Sequence, residues 1–280
     1  MKPPLPVPIE TLPLFAELDR LLLELLRGLA PADWQRPTLA RRWTVKDVAA
    51  HLLDGSLRTL SMLRDGYFGE TPDDFSYAGM VAYLNRLNAD WVQAMRRLSP
   101  AVLVEMLAES GAGYTAYLHT LDPAAPAAWS VAWAGETESP NWFHIARDYT
   151  EKWHHQQQIR EAVGQTAPLM APALFRPFIE TLLRGLPHAY RAVAAPVGTR
   201  VQVRIETEAG GTWELLKTAD AWLLGAPQAA APTAALSLAP EVAWRLFTKG
   251  LSAAEAGPLV RLVGEERLAT AALGLVAVMG

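Results

Sequence analysis

The stretch NWFHIARDYTEKWHHQQQIREA, Asn141 to Ala162, decides the fold. It contains no proline or glycine, Pro140 precedes it and Gly164 follows it, so it predicts one long helix that stops at the glycine. Working back from it, the Ala-, Pro- and Ser-rich segment from Asp122 to Pro140 reads as a loop. Three further helices are predicted upstream, at Ala101 to Leu121, about Asp73 to Leu98, and Thr44 to Arg64. Met80, Tyr83, Leu84, Leu87, Trp91 and Met95 give the middle one an apolar face. A first helix, Ile9 to Leu29, carries Leu12, Phe15, Leu18, Leu22 and Leu25 at spacings of three and four, between Pro8 and Pro31. Long helices with one apolar seam each predict an antiparallel bundle, most simply of four helices, over residues 1–165.

Forward of Gly164 the pattern changes. Residues 166–195 read as a connecting helix, from Pro172 to Ala192, with Pro177 in its first turn and Pro187 as a kink. From residue 196 to 280 a small α+β domain is expected. Val201 to Glu206 alternates apolar and polar residues, Gly210-Gly211 signals a hairpin, and Thr212 to Leu216 and Trp222 to Leu224 follow as strands. Ala235 to Leu238 and Leu259 to Val263 are further candidate strands. Short and closing helices are predicted at Glu241 to Phe247 and Glu265 to Val278.

Composition narrows the function. Of 280 residues 51% are hydrophobic and 19% charged, enough apolar material for a core. A net charge of −4 without a basic cluster argues against a nucleic-acid binder. There is no cysteine, which excludes disulfides, CxxC redox chemistry, thiolate zinc sites and a cysteine nucleophile. Met1 to Pro8 has no apolar leader, and the charge-free run Ala221 to Pro240 is interrupted by Gly225, Pro227 and Pro232. A soluble, cytoplasmic protein without a membrane span is therefore expected.

Histidines are the next filter. The chain has six, His51, His119, His144, His154, His155 and His188, and three of them lie in the Asn141–Ala162 helix. At about 100° per residue, His144, Asp148, Glu151 and His155 share one face, and His154 is expected to point away from it. Glu151 and His155 are one turn apart and can reach one point, as two ligands of a metal site or as a solvated face. His51 stands in WTVKDVAAHLL, residues 43–53, where Thr44 and Asp47 form a capping box and Trp43 and Val48 a hydrophobic staple. Its apolar flanks predict burial, which requires a partner: a backbone group, a carboxylate or a shared metal.

These two elements together resemble the DinB-like metal-binding superfamily, and within it the mycothiol-dependent maleylpyruvate isomerase family. In that branch a helical bundle binds a divalent metal through a His and a later Glu-x-x-x-His, where the wider group has His-x-x-x-His. Carried over, the resemblance implies His51, Glu151 and His155 as metal ligands. It covers nearly the whole chain, since the C-terminal part, with Gly210-Gly211 and Trp213, resembles that branch's second, sterol-carrier-like domain.

Two imidazoles and one carboxylate are a common catalytic zinc set that leaves a position open; nickel, iron and manganese also suit it. The resemblance implies a low-molecular-weight thiol cofactor, mycothiol or bacillithiol, bound as thiolate and attacking a small electrophilic substrate. The expected enzyme is thus a thiol-dependent isomerase or transferase. Two other classes fit the same residues: a metal-dependent hydrolase of a small amide or ester, and a non-catalytic ligand binder with a vestigial metal site. Asp148 and Asp54 are candidates to support the ligand imidazoles, Asp148 alternatively pairing with Lys152. His144, Arg160 and Trp133 are candidates for substrate contact. Gln158 lies one turn beyond His155. Arg200, Arg204, Arg245 and Arg261 are candidate anion clamps in the second domain.

Overall fold

The computed structural model describes residues 7–278; Met1 to Pro6, most of the stretch read as lacking a leader, lie outside the described residues. The chain divides into two compact units, each discontinuous in sequence. One holds residues 11–128 and 151–168, the other 7–10, 129–150 and 169–278.

The first unit is helical. Its elements are α1 (Phe15–Arg27), α2 (Val45–Thr59), α3 (Tyr77–Met95), α4 (Pro100–Leu118) and the C-terminal half of α5 (Asn141–Ala162). α2 packs on α3 and α4, and α1 on α4. Leu22, Leu25 and Leu26 of α1, Val48, Ala49 and Leu53 of α2, Leu103 and Leu107 of α4 and Ile159 of α5 meet in one core. α3 is tied on from outside, where Trp91 Nε1 donates to the Ala50 carbonyl at 2.8 Å. α1 is preceded by a 3-10 turn, Leu12–Leu14, that contains Pro13. α3 begins later than its composition suggests, at the cap where Ser76 accepts from Gly79 N.

The start of α2 is the most firmly held terminus. Thr44 Oγ1 accepts from Asp47 N at 3.3 Å, and Asp47 Oδ2 accepts from Thr44 N at 3.1 Å. Arg96, at the end of α3, forks onto the same carboxylate through Nε and Nη2 at 3.0 and 3.1 Å. Burial pushes the Asp47 carboxyl up, but the Arg96 and Thr44 hydrogen bonds outweigh it and hold the group below its ordinary range. α2 ends in a π turn, Leu60–Arg64.

In the second unit, α6 (Pro172–Leu183) and α7 (Leu186–Ala189) replace the single connecting helix expected from the sequence. Pro172, not Pro177, occupies the first turn, and Gly185 and Pro187 divide the segment. Five strands follow: β1 (Arg200–Ile205), β2 (Gly211–Lys217), β3 (Trp222–Gly225), β4 (Ala234–Leu238) and β5 (Arg261–Gly264). Their order is β3-β2-β1-β4-β5, with β1 and β4 parallel and the other pairs antiparallel. Gly210 is required in the β1–β2 turn, because a Cβ there would collide with the Ile205 carbonyl. α8 (Pro240–Phe247) and α9 (Ala253–Ala256) lie between β4 and β5. The closing helix is shorter than predicted. α10 covers Glu266–Thr270, a 3-10 turn covers Ala271–Gly274, and the chain then leaves the helix so that Ala277 N donates to the Phe247 carbonyl at 2.9 Å.

A helical bundle followed by a small mixed sheet is the architecture that the sequence predicts. No described helix is long and apolar enough to cross a membrane. If the Asp47 cap positions α2, Asp47→Ala should lower stability in urea unfolding by about 1–2 kcal/mol. Arg96→Ala should cost less, because the Arg96 side chain is 58% exposed and its ion pair is screened.

Candidate metal centre

α5 and α2 bring the chemistry together within the helical unit. On α5, Glu151 Oε2 lies 3.7 Å from His155 Nε2 and 3.9 Å from His154 Nδ1. Each of the three side chains offers a ligand atom within 4.8 Å of the others. From α2, the ring of His51 meets that of His155 edge-on, with centroids 4.6 Å apart. His51 Nδ1 is buried and has no hydrogen-bond partner among the described residues. Trp43, just before the α2 cap, does more than staple the helix start. Its ring lies 4.8 Å from that of His51 and 6.4 Å from that of His155.

The tautomer of His155 follows from one contact. Its Nδ1 is 2.9 Å from Gln158 Oε1. A carbonyl oxygen only accepts, so Nδ1 carries the proton and Nε2 presents its lone pair toward Glu151. Burial, then the neighbouring His154, push the His155 imidazole down to about 3, against the raising effects of Glu151 and Gln158. His51 is likewise held well below the ordinary imidazole range, by burial first and then by His155, Arg58 and His154. Both rings are therefore neutral near pH 7, the form in which imidazole binds a metal.

The structure corrects the placement of His154. Rotation separates it from His155, but both flank Glu151, at i+3 and i+4, and both positions neighbour residue i on a helix. The two ring centroids lie 3.9 Å apart with their planes tilted by 37°, and both rings are buried. Comparing each histidine with Glu151, instead of with each other, would have found this.

Other candidates separate from the cluster. Asp54 does not bond His51; it faces Arg58 Nη2 at 3.1 Å, one turn further along α2. Asp148 pairs with Arg147 at 2.6 Å and faces His144 at 3.6 Å, and all three belong to the other compact unit. Lys152 reaches Asp19 Oδ1 at 2.7 Å, not Asp148. Arg160 is buried and spent on carbonyls, those of Leu21 at 2.9 Å and Gln165 at 3.2 Å, so it ties α5 to α1 instead of facing a ligand. Trp133 is buried against Phe143 in the second unit, with centroids 6.1 Å apart. Of the second-domain arginines, Arg200 is engaged by the Ala230 and Ala231 carbonyls and by Glu214, and Arg245 lies over Trp244.

Comparison with known proteins bears on the same elements. The family model of the mycothiol maleylpyruvate isomerase N-terminal domain matches residues 15–160, which contain His51, Glu151 and His155. Among solved structures, the chain is similar to a His-to-Ala mutant of the mycothiol-dependent maleylpyruvate isomerase, with a TM-score of 0.56, 13% identity, and coverage of 91% of this chain and 93% of that one. A second structure, of the mycothiol-dependent maleylpyruvate isomerase, has a TM-score of 0.49 and 13% identity, covering 86% of this chain and 88% of that one. At such identity the first likeness establishes the fold. Comparison with curated protein sequences returns no match.

Two measurements test this geometry. The unfolded chain takes up protons on His51 and His155 near pH 6.5, whereas folded His155 resists until about 3. Unfolding thus gains protons in that window, and the cation-free protein should lose stability as pH falls through it, by up to about 1.4 kcal/mol per pH unit per ring. Urea titrations of His155→Phe should show a shallower slope. In cobalt(II) titrations, His155→Ala should lose most of the cation binding while His154→Ala keeps it; equal losses in the two variants would place His154 inside the ligand set.

Proposed function

The chain belongs to the family of the mycothiol maleylpyruvate isomerase N-terminal domain, and from that premise we propose that it is a metal-dependent enzyme using a low-molecular-weight thiol, of the isomerase or S-transferase type. His51, Glu151 and His155 hold the cation, with His154 beside them. One observation carries the reading: the buried, unpartnered Nδ1 of His51 beside the ring of His155. A buried imidazole nitrogen left without a partner costs about 1–3 kcal/mol, and a shared cation removes that cost.

The donor set fits such a group. Two neutral imidazoles and one carboxylate match a catalytic zinc site in number and type, and zinc is the cation proposed. When bound, a divalent cation supplies a position at which a thiol stays ionised at neutral pH. The chain's own residues do the rest. Gln158 fixes the His155 tautomer, Trp43 covers the two rings, and burial keeps both neutral. Glu151 brings the negative charge that offsets part of the cation's. The absence of cysteine agrees with a nucleophile supplied from outside. The reaction class is addition of a thiol sulfur to an electrophilic carbon of a small molecule. In an isomerase the new C–S bond breaks again after rotation about the former double bond; in a transferase it stays.

Cobalt-loaded protein titrated with mycothiol or bacillithiol tests this. A new sulfur-to-cobalt charge-transfer absorption is expected, with release of about one proton per site. It should be absent from His51→Ala, Glu151→Gln and His155→Ala. An unchanged spectrum with millimolar thiol on fully loaded protein overturns the thiol reading.

A further inference from the structure

Glu151 and Lys152 are neighbours in sequence, and the helix turns their side chains about 100° apart. Glu151 shares its side of α5 with His155, whose ring meets that of His51 on α2. Lys152 turns instead to α1 and α4. Its Nζ donates to Asp19 Oδ1 at 2.7 Å and lies over two rings, 4.8 Å from the centroid of Tyr114 and 5.9 Å from that of Phe15. The pair is mostly withdrawn from water, with Lys152 14% and Asp19 20% exposed at the side chain. α4 leaves room for it, since a Cβ on Gly111 would come within 2.8 Å of Asp19 Oδ2. An ammonium is a poor neighbour for a cation site. One residue from a metal-ligating carboxylate, its charge sits on the order of 10 Å from the bound ion, within about one Debye length at 0.1 M salt. Partial burial weakens the screening further. The two rings hold the ammonium but leave its charge in place, whereas the Asp19 carboxylate cancels it.

We propose that Asp19 is a positioning residue for the cation site: through Lys152 it anchors the ammonium on the α1–α4 side of α5 and cancels its charge beside Glu151. This rests on the cation reading above and adds a residue that sets affinity without touching the ion. Asp19 acts from α1, a helix that supplies no candidate ligand. The two members of the pair act with opposite sign. Without Asp19 the site faces an uncompensated ammonium, and a divalent ion binds less tightly. Without Lys152 it faces an uncompensated carboxylate, and the ion binds more tightly. Damage to packing would weaken binding in both cases, so the sign separates charge from structure.

Cobalt(II) titrations of the full chain test this, read from the cobalt absorption that depends on His155. At low salt Asp19→Asn should bind cobalt about three- to tenfold more weakly than the wild type, as expected for one unit charge acting on a divalent ion at that distance. Lys152→Met should bind it more tightly by a similar factor. Asp19→Asn combined with Lys152→Met should return to within about twofold of the wild type. All these differences should shrink in about 0.5 M sodium chloride. If Asp19→Asn does not fold, because it leaves a half-buried ammonium unpaired, Lys152→Met and the double variant carry the test, since neither holds that ammonium. Weaker binding in Lys152→Met, or a double variant as weak as Asp19→Asn, would show a packing role and overturn the proposal. Wild-type affinity in a folded Asp19→Asn would overturn it too. If the wild type shows no cobalt absorption that depends on His155, the cation reading falls and the proposal with it. If the opposite signs appear but the cobalt spectrum ignores thiol, the proposal stands and the thiol-dependent function falls.

Discussion

The capping of α2 by Thr44 and Asp47 sets the axial position of His51, and the geometry of the cluster depends on it. A helix whose first turn frays can slide or rotate against its neighbours, and one residue of slippage turns a side chain by about 100°. Here the first turn is closed by two reciprocal hydrogen bonds and by the Arg96 fork from the end of α3. Lys46 adds bonds to the carbonyls of Arg96 and Leu98 at 2.9 and 2.5 Å, so the α2 start and the α3–α4 turn are one construction. Ala49 and Ala50, buried just before His51, are small enough for neighbouring helices to approach closely. His51 is thereby delivered to the ring of His155 by elements that have no chemical role of their own.

Electrostatics at the cluster follow from which charges are kept out of it. Lys152 is adjacent to Glu151 in sequence and reaches a different carboxylate. Its ammonium bonds Asp19 and lies over the ring of Tyr114, 4.8 Å from the centroid. Arg160, one turn past Gln156, is spent on backbone carbonyls. Glu151 lies beside the imidazole of His155, which burial keeps neutral. One carboxylate and neutral nitrogens form a donor set for a divalent cation, whereas protonated rings would repel it.

Much of this was legible in sequence, for physical reasons that differ by element. The bounds of α5 could be read because Pro140 and Gly164 punctuate a segment with no other breaker, and the structure has the same helix, Asn141–Ala162. The Thr44–Asp47 box was readable because it is local, spanning four residues. The roles of Arg160 and Asp54 were not readable. The carbonyl that engages Arg160 belongs to Leu21, 139 residues away, and Asp54 had two helical neighbours to choose from, His51 and Arg58. The choice went to the permanent cation, which a buried carboxylate needs more than it needs a neutral ring. The closing helix failed for a related reason. Its alanines favour helix, but packing of the chain after Gly274 against Phe247 overrides that local preference.

The exposure of the cluster constrains its use. Glu151 is 30% exposed at its side chain, whereas His154 and His155 are 4% and 11% exposed. The carboxyl group thus stands toward water and the imidazoles stand inside, the order that limits desolvation of the carboxyl while keeping the nitrogens dry. A cation approaching this group meets the carboxylate first, and a divalent charge gains most there, before it must shed water to reach the rings. With no cysteine in the chain to compete as a soft ligand, selection among divalent ions at the proposed site would fall to the imidazoles of His51 and His155 and the carboxylate of Glu151. Imidazole nitrogen favours the borderline transition metals over magnesium or calcium, and the single carboxylate is too little oxygen to reverse that preference.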